Sequence, residues 1–326
     1  MQPHDRLLFS RMINLDSIIS VLALQTTVFS HRLSHCTIIR YTGDTPRNDN
    51  QRCKTVCHFS ICRGAHGKFM GIITTIQRFS LNDGPGIRSS VFFKGCQLNC
   101  RWCHNPETIA REPQLHFYPQ KCIHCGACVS ACPQQAHQLA DGRHTFDRSL
   151  CTNNGRCVEV CFSGALDMSG TQMSPEQVMD EIIQDQAYYR RSGGGVTLTG
   201  GEAMLQPDFA RTILQACREN GIHTALETNL CYDFSLLERV LPWLDLVMAD
   251  IKLADDQAHQ EWTGASNQPV FDNIRQLEAR AVPYIIRTPL IPDVTATKDN
   301  IRAIAEFLRP MRNLRYYELL NFNPLG

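Results

Sequence analysis

Three thiols, Cys96, Cys100 and Cys103, stand close together in the stretch GCQLNCRWCHNP, on one compact loop directly after an apolar run. Thiolates are soft ligands that suit iron. Three of them on a four-iron cluster leave one iron with an open position, where the amino and carboxylate groups of a substrate can bind. The three thiols by themselves leave zinc open as the alternative.

A second set follows at once. Cys122-x2-Cys125-x2-Cys128-x3-Cys132-Pro133 matches the spacing of the bacterial ferredoxin run, with structural zinc as the plainer reading. A degenerate second half begins at Cys151 and contains Cys157 and Cys161, but Asn154 stands where another cysteine is expected. In the two-cluster ferredoxin pattern the fourth cysteine of each run ligates the other cluster. Cys122, Cys125, Cys128 and Cys161 then complete one auxiliary four-iron cluster. Cys132, Cys151 and Cys157 remain for a second, one ligand short, which leaves open three irons, a nonstandard ligand or no second cluster. The module suits electron relay toward Cys96, Cys100 and Cys103; a structural role or contact with a partner is the alternative.

Ten of the 16 cysteines fall between Cys96 and Cys161. Such local clustering favours metal or iron–sulfur ligation in a reducing compartment over a disulfide framework. The most apolar early stretch, Ile18 to Phe29, is interrupted by Ser20, Gln25, Thr26 and Thr27 and is too short to span a bilayer. A cytoplasmic protein is expected. The 32 basic and 32 acidic residues balance, so no general electrostatic attraction to nucleic acid or to a membrane surface is expected. With 326 residues, 43% of them hydrophobic and 20% charged, the chain can bury one large or two moderate cores.

The elements that must hold these thiols begin near Met70. Residues 1–69 carry no sustained helix or strand period and read as a poorly specified extension outside the native domain; Cys53, Cys57 and Cys62 there follow no strong metal-site template. From Val91 onward, short apolar strands (91–93, 196–199, 224–228, 246–250, 284–288 and 315–320) alternate with helical stretches at 175–190, 207–220, 233–240, 270–280 and 298–308. Ser174, Pro175 and Gln177 form a helix start, the hydroxyl capping exposed amides and the glutamine completing a capping box. Six alternating units predict an α/β fold with a parallel sheet and outer helices, an open or partial (β/α)6 TIM-like barrel over residues 70–326 in preference to a two-layer ferredoxin fold for the whole chain. The block at 113–168 reads as an inserted bacterial-ferredoxin-like iron–sulfur domain, whose ligands replace much of a small core.

The run Asp83-Gly84-Pro85-Gly86-Ile87-Arg88 followed by the C-x3-C-x2-C loop resembles the radical S-adenosylmethionine superfamily, in particular its glycyl-radical-enzyme activating branch, over nearly everything from Ile72 to Gly326. The resemblance implies an anaerobic oxidoreductase whose reduced four-iron, four-sulfur cluster splits S-adenosylmethionine into methionine and a 5′-deoxyadenosyl radical. That radical takes hydrogen from a backbone glycine in the C-terminal glycine loop of a partner glycyl-radical enzyme. A flavodoxin or ferredoxin is the implied electron donor. Another radical S-adenosylmethionine activity on a small molecule, or a nonenzymatic iron–sulfur electron-transfer or scaffold protein, are the competing readings.

The same resemblance assigns further residues. Gly200-Gly201-Glu202 resembles the family's GGE motif, its glycines admitting the methionyl portion and Glu202 orienting the ammonium. Glu227, Thr228, Asp250 and Lys252, at two further strand ends, resemble positions that hold the cofactor. Glu227, Thr228, Met248 and Asp250 are candidates for a monovalent cation's environment, and Lys252 for orienting the substrate; an ion-pair network across the strand ends is the alternative. Arg287, before Thr288-Pro289, resembles an arginine that contacts the cofactor's carboxylate. Asn323 stands where such chains often carry histidine, and it cannot serve as an acid or base near neutrality. The resemblance also implies a short C-terminal region past Gly326 that helps cover the active site, so the chain reads as C-terminally truncated.

Overall fold

A computed structural model of the chain describes residues 70–321. The expectations for residues 1–69, with Cys53, Cys57 and Cys62, and for Asn323 and Gly326 lie outside the described residues.

Twelve strands run in chain order: β1 (Gly71–Ser80), β2 (Arg88–Phe93), β3 (Gln114–Phe117), β4 (His137–Ala140), β5 (Arg143–Phe146), β6 (Leu166–Ser169), β7 (Thr171–Met173), β8 (Gly195–Gly200), β9 (His223–Thr228), β10 (Leu246–Asp250), β11 (Tyr284–Leu290) and β12 (Leu314–Asn321). Eight of them form the central sheet in the order β12-β11-β10-β9-β8-β2-β1-β7. From β2 to β12 every pairing is parallel, whereas β1 is antiparallel to both β2 and β7. All six expected strands are therefore present as one parallel run. β1 and β7 extend the sheet beyond it.

Parallel strands covered on both faces read as nearly continuous apolar runs, and successive side chains point to opposite faces. Val196 and Leu198, Leu226, Val247 and Ala249, and Tyr284 and Ile286 join the main core, with Ile213, Leu214, Ile274, Leu277, Ile301 and Ile304 from the helices. The alternate residues face the other way. Ala225, Leu246, Met248 and Ile285 form a smaller apolar cluster there, and Thr197, Thr199, Glu227, Asp250 and Arg287 occupy the same face. One side of the sheet is thus a helix-covered core, and the other gathers the charged side chains.

The helices sit close to their expected places at Pro207–Glu219, Phe234–Glu238, Gln268–Ala279 and Lys298–Leu308. The capping box at Ser174 forms: its hydroxyl accepts from Gln177 N, and the Gln177 side chain accepts from Ser174 N. The single helix expected over 175–190 is instead two, Pro175–Ile182 and Gln186–Ser192, separated by a 3-10 turn at Ile183–Asp185. The break has a visible cause. Asp185, 1% exposed, is drawn onto Arg78 of β1, whose Nε donates to it at 2.7 Å, and onto Ser89 of β2 at 3.0 Å.

Between β2 and β7 lies the cysteine-rich stretch, built on two small antiparallel sheets, β3 with β6 and β4 with β5, and two short helices, Ala127–Ala131 and Arg156–Glu159. Its core is small. Leu115, Cys157 and Leu166 are buried, and Phe117, Cys128, Phe146, Cys151, Cys161 and Met168 pack around them.

Candidate active site

Parallel strands bring all their C-terminal ends to one rim, where functional groups of such sheets collect. A cavity of about 520 Å³ opens there. Its lining includes Cys96, Cys100 and Cys103, the glycines Gly200 and Gly201 at the end of β8, Glu227 and Thr228 of β9, and Asp250 and Lys252 at the end of β10. Sequence-expected residues from four separate strands thus meet in one space. Met248 lies one strand position behind, in the apolar cluster below.

The cysteine loop is fixed by its backbone. Gly95 N donates to Thr108 O at 2.7 Å and Cys96 N to Ile109 O at 2.9 Å, while Asn99 N and Arg101 N reach Thr263 O and Trp262 O at the end of the helix Asp256–Thr263. Gly201 N then bonds Phe93 O at 2.9 Å and Glu202 N bonds Gly95 O at 2.7 Å, tying the loop after β8 to the loop after β2. A side chain on Gly201 would lie 2.2 Å from Gly95 O, so glycine here is a condition of that close approach. Burial pushes the Cys96 thiol up to about 12 and raises Cys100 and Cys103 as well. Three clustered thiols that are costly to ionise alone fit a cationic metal group that takes the proton's place.

Glu202 does not line the cavity. Fully buried, it accepts from Met204 N at 3.1 Å, Thr228 Oγ1 at 2.8 Å and Asn229 N at 3.0 Å, beneath the rim. Burial pushes its carboxyl up to about 7 against these donors. Arg287 is likewise committed inside the protein. Its guanidinium donates to Glu227 at 2.9 Å, Glu318 at 2.9 Å and Asn82 O at 2.7 Å. Burial opposes the charge of Arg287, yet Glu227 and Glu318 overcome it and raise its pKa. Ion pairing across the strand ends is therefore present, with Lys252 Nζ also 2.7 Å from Asp250 Oδ2. The other Asp250 oxygen, Oδ1, is buried without a hydrogen-bond partner among the described residues.

The DGPGIR run has its own anchor. Arg88, fully buried, donates from Nε to Thr197 Oγ1 at 2.6 Å and from its two terminal nitrogens, one to Val196 O at 2.6 Å and the other to Pro85 O at 3.1 Å. This holds Asn82 and Asp83 in the cavity wall. Two supporting residues escaped the sequence reading. Asn229 accepts from Gln97 Nε2 at 2.8 Å and from Cys231 N at 2.9 Å, bracing the cysteine loop against β9. Nothing in their local pattern marks them, since the bond joins residues 132 positions apart.

In the cysteine-rich stretch, Cys122, Cys125, Cys128 and Cys161 surround one pocket, the four positions expected for a first auxiliary cluster. The Cys157 thiol, pushed up to about 11 by burial, lies within electrostatic reach of Cys151, Cys132 and Cys128. Asn154 faces elsewhere: its oxygen accepts from Arg156 N at 3.2 Å and its amide donates to Gln134 at 2.9 Å. All 12 cysteines among the described residues are free of disulfides. No helix among the described residues is long and apolar enough to cross a membrane.

Comparison with known proteins agrees with this arrangement. A family model described as "4Fe-4S single cluster domain" matches residues 82–271. The (2S)-3-sulfopropanediol dehydratase activating enzyme of Klebsiella oxytoca is 42% identical over 263 residues, covering 78% of this chain and 83% of the relative. The isethionate sulfite-lyase activating enzyme of Oleidesulfovibrio alaskensis is 41% identical, covering 79% and 85%. The indoleacetate decarboxylase activating enzyme of Tractidigestivibacter scatoligenes is 41% identical, covering 74% and 80%. With its cysteine loop and GGE segment tied together at the mouth of one cavity, this chain belongs to the radical S-adenosylmethionine enzymes that activate glycyl-radical enzymes.

Proposed function

We propose that Cys96, Cys100 and Cys103 hold the catalytic four-iron, four-sulfur cluster, that S-adenosylmethionine binds beside it in the 520 Å³ cavity, and that the radical so made is passed to a backbone glycine in the C-terminal glycine loop of a partner enzyme. The observation that carries this reading is the meeting of three thiols with Gly200, Gly201, Thr228, Asp250 and Lys252 around one space. The bound cluster supplies the electron, and the protein's own work is binding, orientation and exclusion of water.

Each residue then has a task. Gly200 and Gly201 let the backbone approach the methionyl portion. Asp250, with one oxygen on Lys252 and one buried and unpartnered, offers an acceptor for an ammonium, a hydroxyl or a monovalent cation. Glu227 and Thr228 share that rim, and Met248 lies behind it. Glu202 acts through Thr228 and Asn229, whose positions it sets. Arg287 holds Glu227 and Glu318 in place, a positioning role for the same rim.

The six parallel strands suit a partial (β/α)6 barrel, and residues 113–168 an inserted ferredoxin-like module. Cys122, Cys125, Cys128 and Cys161 hold its first cluster. Cys132, Cys151 and Cys157 hold a second with a nonprotein or missing fourth ligand, because Asn154 is engaged by Arg156 and Gln134. The module relays electrons from a flavodoxin or ferredoxin. The partner's own reaction is not written in this chain: the relatives' names span a dehydratase, a sulfite-lyase and a decarboxylase.

The test is to mix the anaerobically reconstituted, reduced chain and S-adenosylmethionine with a candidate glycyl-radical enzyme. A glycyl radical signal in the electron paramagnetic resonance spectrum, lost with Cys100→Ala, supports the reading. 5′-Deoxyadenosine formed without any glycyl radical would favour a small-molecule substrate instead.

A further inference from the structure

The cysteine-rich stretch holds two imidazoles outside the cysteine sets, one buried and one half-buried. His137 of β4 and His144 of β5 face each other across their hairpin, with His137 Nδ1 and His144 Nε2 3.0 Å apart. His144 also meets two thiols of the first auxiliary set: its Nδ1 lies 3.4 Å from Cys122 Sγ and its Nε2 3.5 Å from Cys128 Sγ. Phenyl rings clamp the pair. Phe146 stacks on His137 with centroids 4.9 Å apart, and Phe117 lies 4.4 Å from His144. His137 is 1% exposed, and its Nε2 is buried with no hydrogen-bond partner among the described residues. In a core this small, two polar rings are costly where aliphatic side chains would pack at no polar cost.

A neutral imidazole has one N–H and one lone pair, so the contacts choose the tautomers. If His144 donated from Nε2 to His137, its Nδ1 lone pair would face the sulfur of Cys122, and His137 would bury an N–H without an acceptor. With His137 Nδ1–H donating to His144 Nε2, His144 carries its proton on Nδ1, aimed at Cys122, and His137 leaves only a lone pair unpaired. The second arrangement satisfies every N–H.

We propose that His137 and His144 form a directed hydrogen-bond relay that ends on the Cys122 thiolate and raises the reduction potential of the first auxiliary cluster. An N–H aimed at a ligand sulfur stabilises the reduced cluster, which carries one more negative charge, more than the oxidised one. His144 is the donor, and His137 is a positioning residue that fixes its tautomer. A metal-ligand role is the competing reading, because Cys128, His137 and His144 offer atoms within 4.8 Å of one another. It would take Cys128 out of the four-cysteine set, whereas the relay leaves that set whole.

The inference rests on the auxiliary-cluster reading, and the experiment separates the two. The full chain carrying Cys96→Ser, Cys100→Ser and Cys103→Ser is reconstituted anaerobically, so that only auxiliary iron remains. Its signal, identified by loss with Cys122→Ser, is followed by electron paramagnetic resonance through a potentiometric titration. His144→Phe is expected to lower the reduction equilibrium constant at least about tenfold, 59 mV for one electron, with iron and sulfide per chain unchanged. His137→Phe shifts it in the same direction. His144→Asn, whose amide N–H reaches the place of Nδ1–H, restores a potential close to the starting one. Equal potentials in all variants overturn the relay, as does loss of iron in both phenylalanine variants or zinc bound in the starting protein. A starting protein that takes up no auxiliary iron overturns the cluster reading itself, which iron analysis reveals before any potential is measured.

Discussion

Replacing Gly201 by alanine probes how closely the two loops at the cavity mouth must approach. The new methyl carbon would lie 2.2 Å from Gly95 O, 2.7 Å from Gly95 C and 2.8 Å from Thr108 O, all backbone atoms that no rotamer change can move. Restoring ordinary contact, about 3.4 Å, requires the backbone next to Cys96 to retreat by about 1.2 Å. That segment is held by Gly95 N to Thr108 O, Cys96 N to Ile109 O and Glu202 N to Gly95 O, so the displacement is transmitted to Cys96, the first of the three thiols. Overpacking of this kind costs about 1–3 kcal/mol of stability. A misplacement of about 1 Å at a reacting centre costs about a hundredfold in rate. The assay is formation of 5′-deoxyadenosine by reduced, reconstituted protein, normalised to iron content. Gly201→Ala should retain its iron and lose about two orders of magnitude in turnover. Turnover within twofold of the parent at equal iron would refute the claim that this glycine sets the distance between the cluster loop and the cofactor.

Further outcomes follow from other contacts. Arg287→Met leaves Glu227 and Glu318 facing each other without their shared cation, and should cost about 3–5 kcal/mol in thermal or urea unfolding. Asp185→Asn should remove about 2 kcal/mol at pH 7 by weakening the bonds from Arg78 and Ser89. The Arg78 guanidinium holds the Asp185 carboxyl below its ordinary range. That stability is therefore fully present above the unfolded-state value and fades as pH falls through the lower folded one, so the parent–variant gap in melting temperature should narrow below about pH 4. Cys125→Ser should lower bound iron by about four atoms per chain. It should still permit 5′-deoxyadenosine formation with a chemical reductant, while slowing the reaction driven by a protein electron donor.

The parts of the fold that could be read from residues were those where one physical cause dominates. Val196–Thr199, Leu246–Asp250 and Tyr284–Thr288 are short, largely buried runs whose alternate residues join the helix-covered core; Leu246–Asp250 matches the observed strand, and the other two fall within one or two residues of theirs. β1 is half-buried, with Gln77 and Arg78 breaking its run, and it carries no such signal. The helix Asp256–Thr263 buries only His259 and Thr263, so its sequence looks like a polar loop; its evidence lies in Asp255 accepting from Ala258 N and in Gly264 at its end. The break after Ile182 depends on Arg78, 107 residues before the aspartate it binds.

The site divides in the same way. Cysteine spacing is local, and Cys96, Cys100 and Cys103 meet around one cavity, as do Cys122, Cys125, Cys128 and Cys161 around another pocket. The partners of Arg287 and Glu202 are set by which strand ends adjoin: both side chains bond to residues that line the cavity, contacts that no local spacing announces. His137 and His144 look like unremarkable surface histidines until the hairpin folds them against each other and His144 against the Cys122 thiol.

Radical transfer from this chain requires that the thiols lining the cavity hold an iron centre that breaks the carbon–sulfur bond of S-adenosylmethionine. Quantifying 5′-deoxyadenosine from the full chain, rebuilt anaerobically and reduced, tests this without any partner. Product is expected from the parent and none from Cys100→Ala, with auxiliary iron retained in both. Equal product from the two proteins, or none from a parent carrying its full complement of iron, would contradict it.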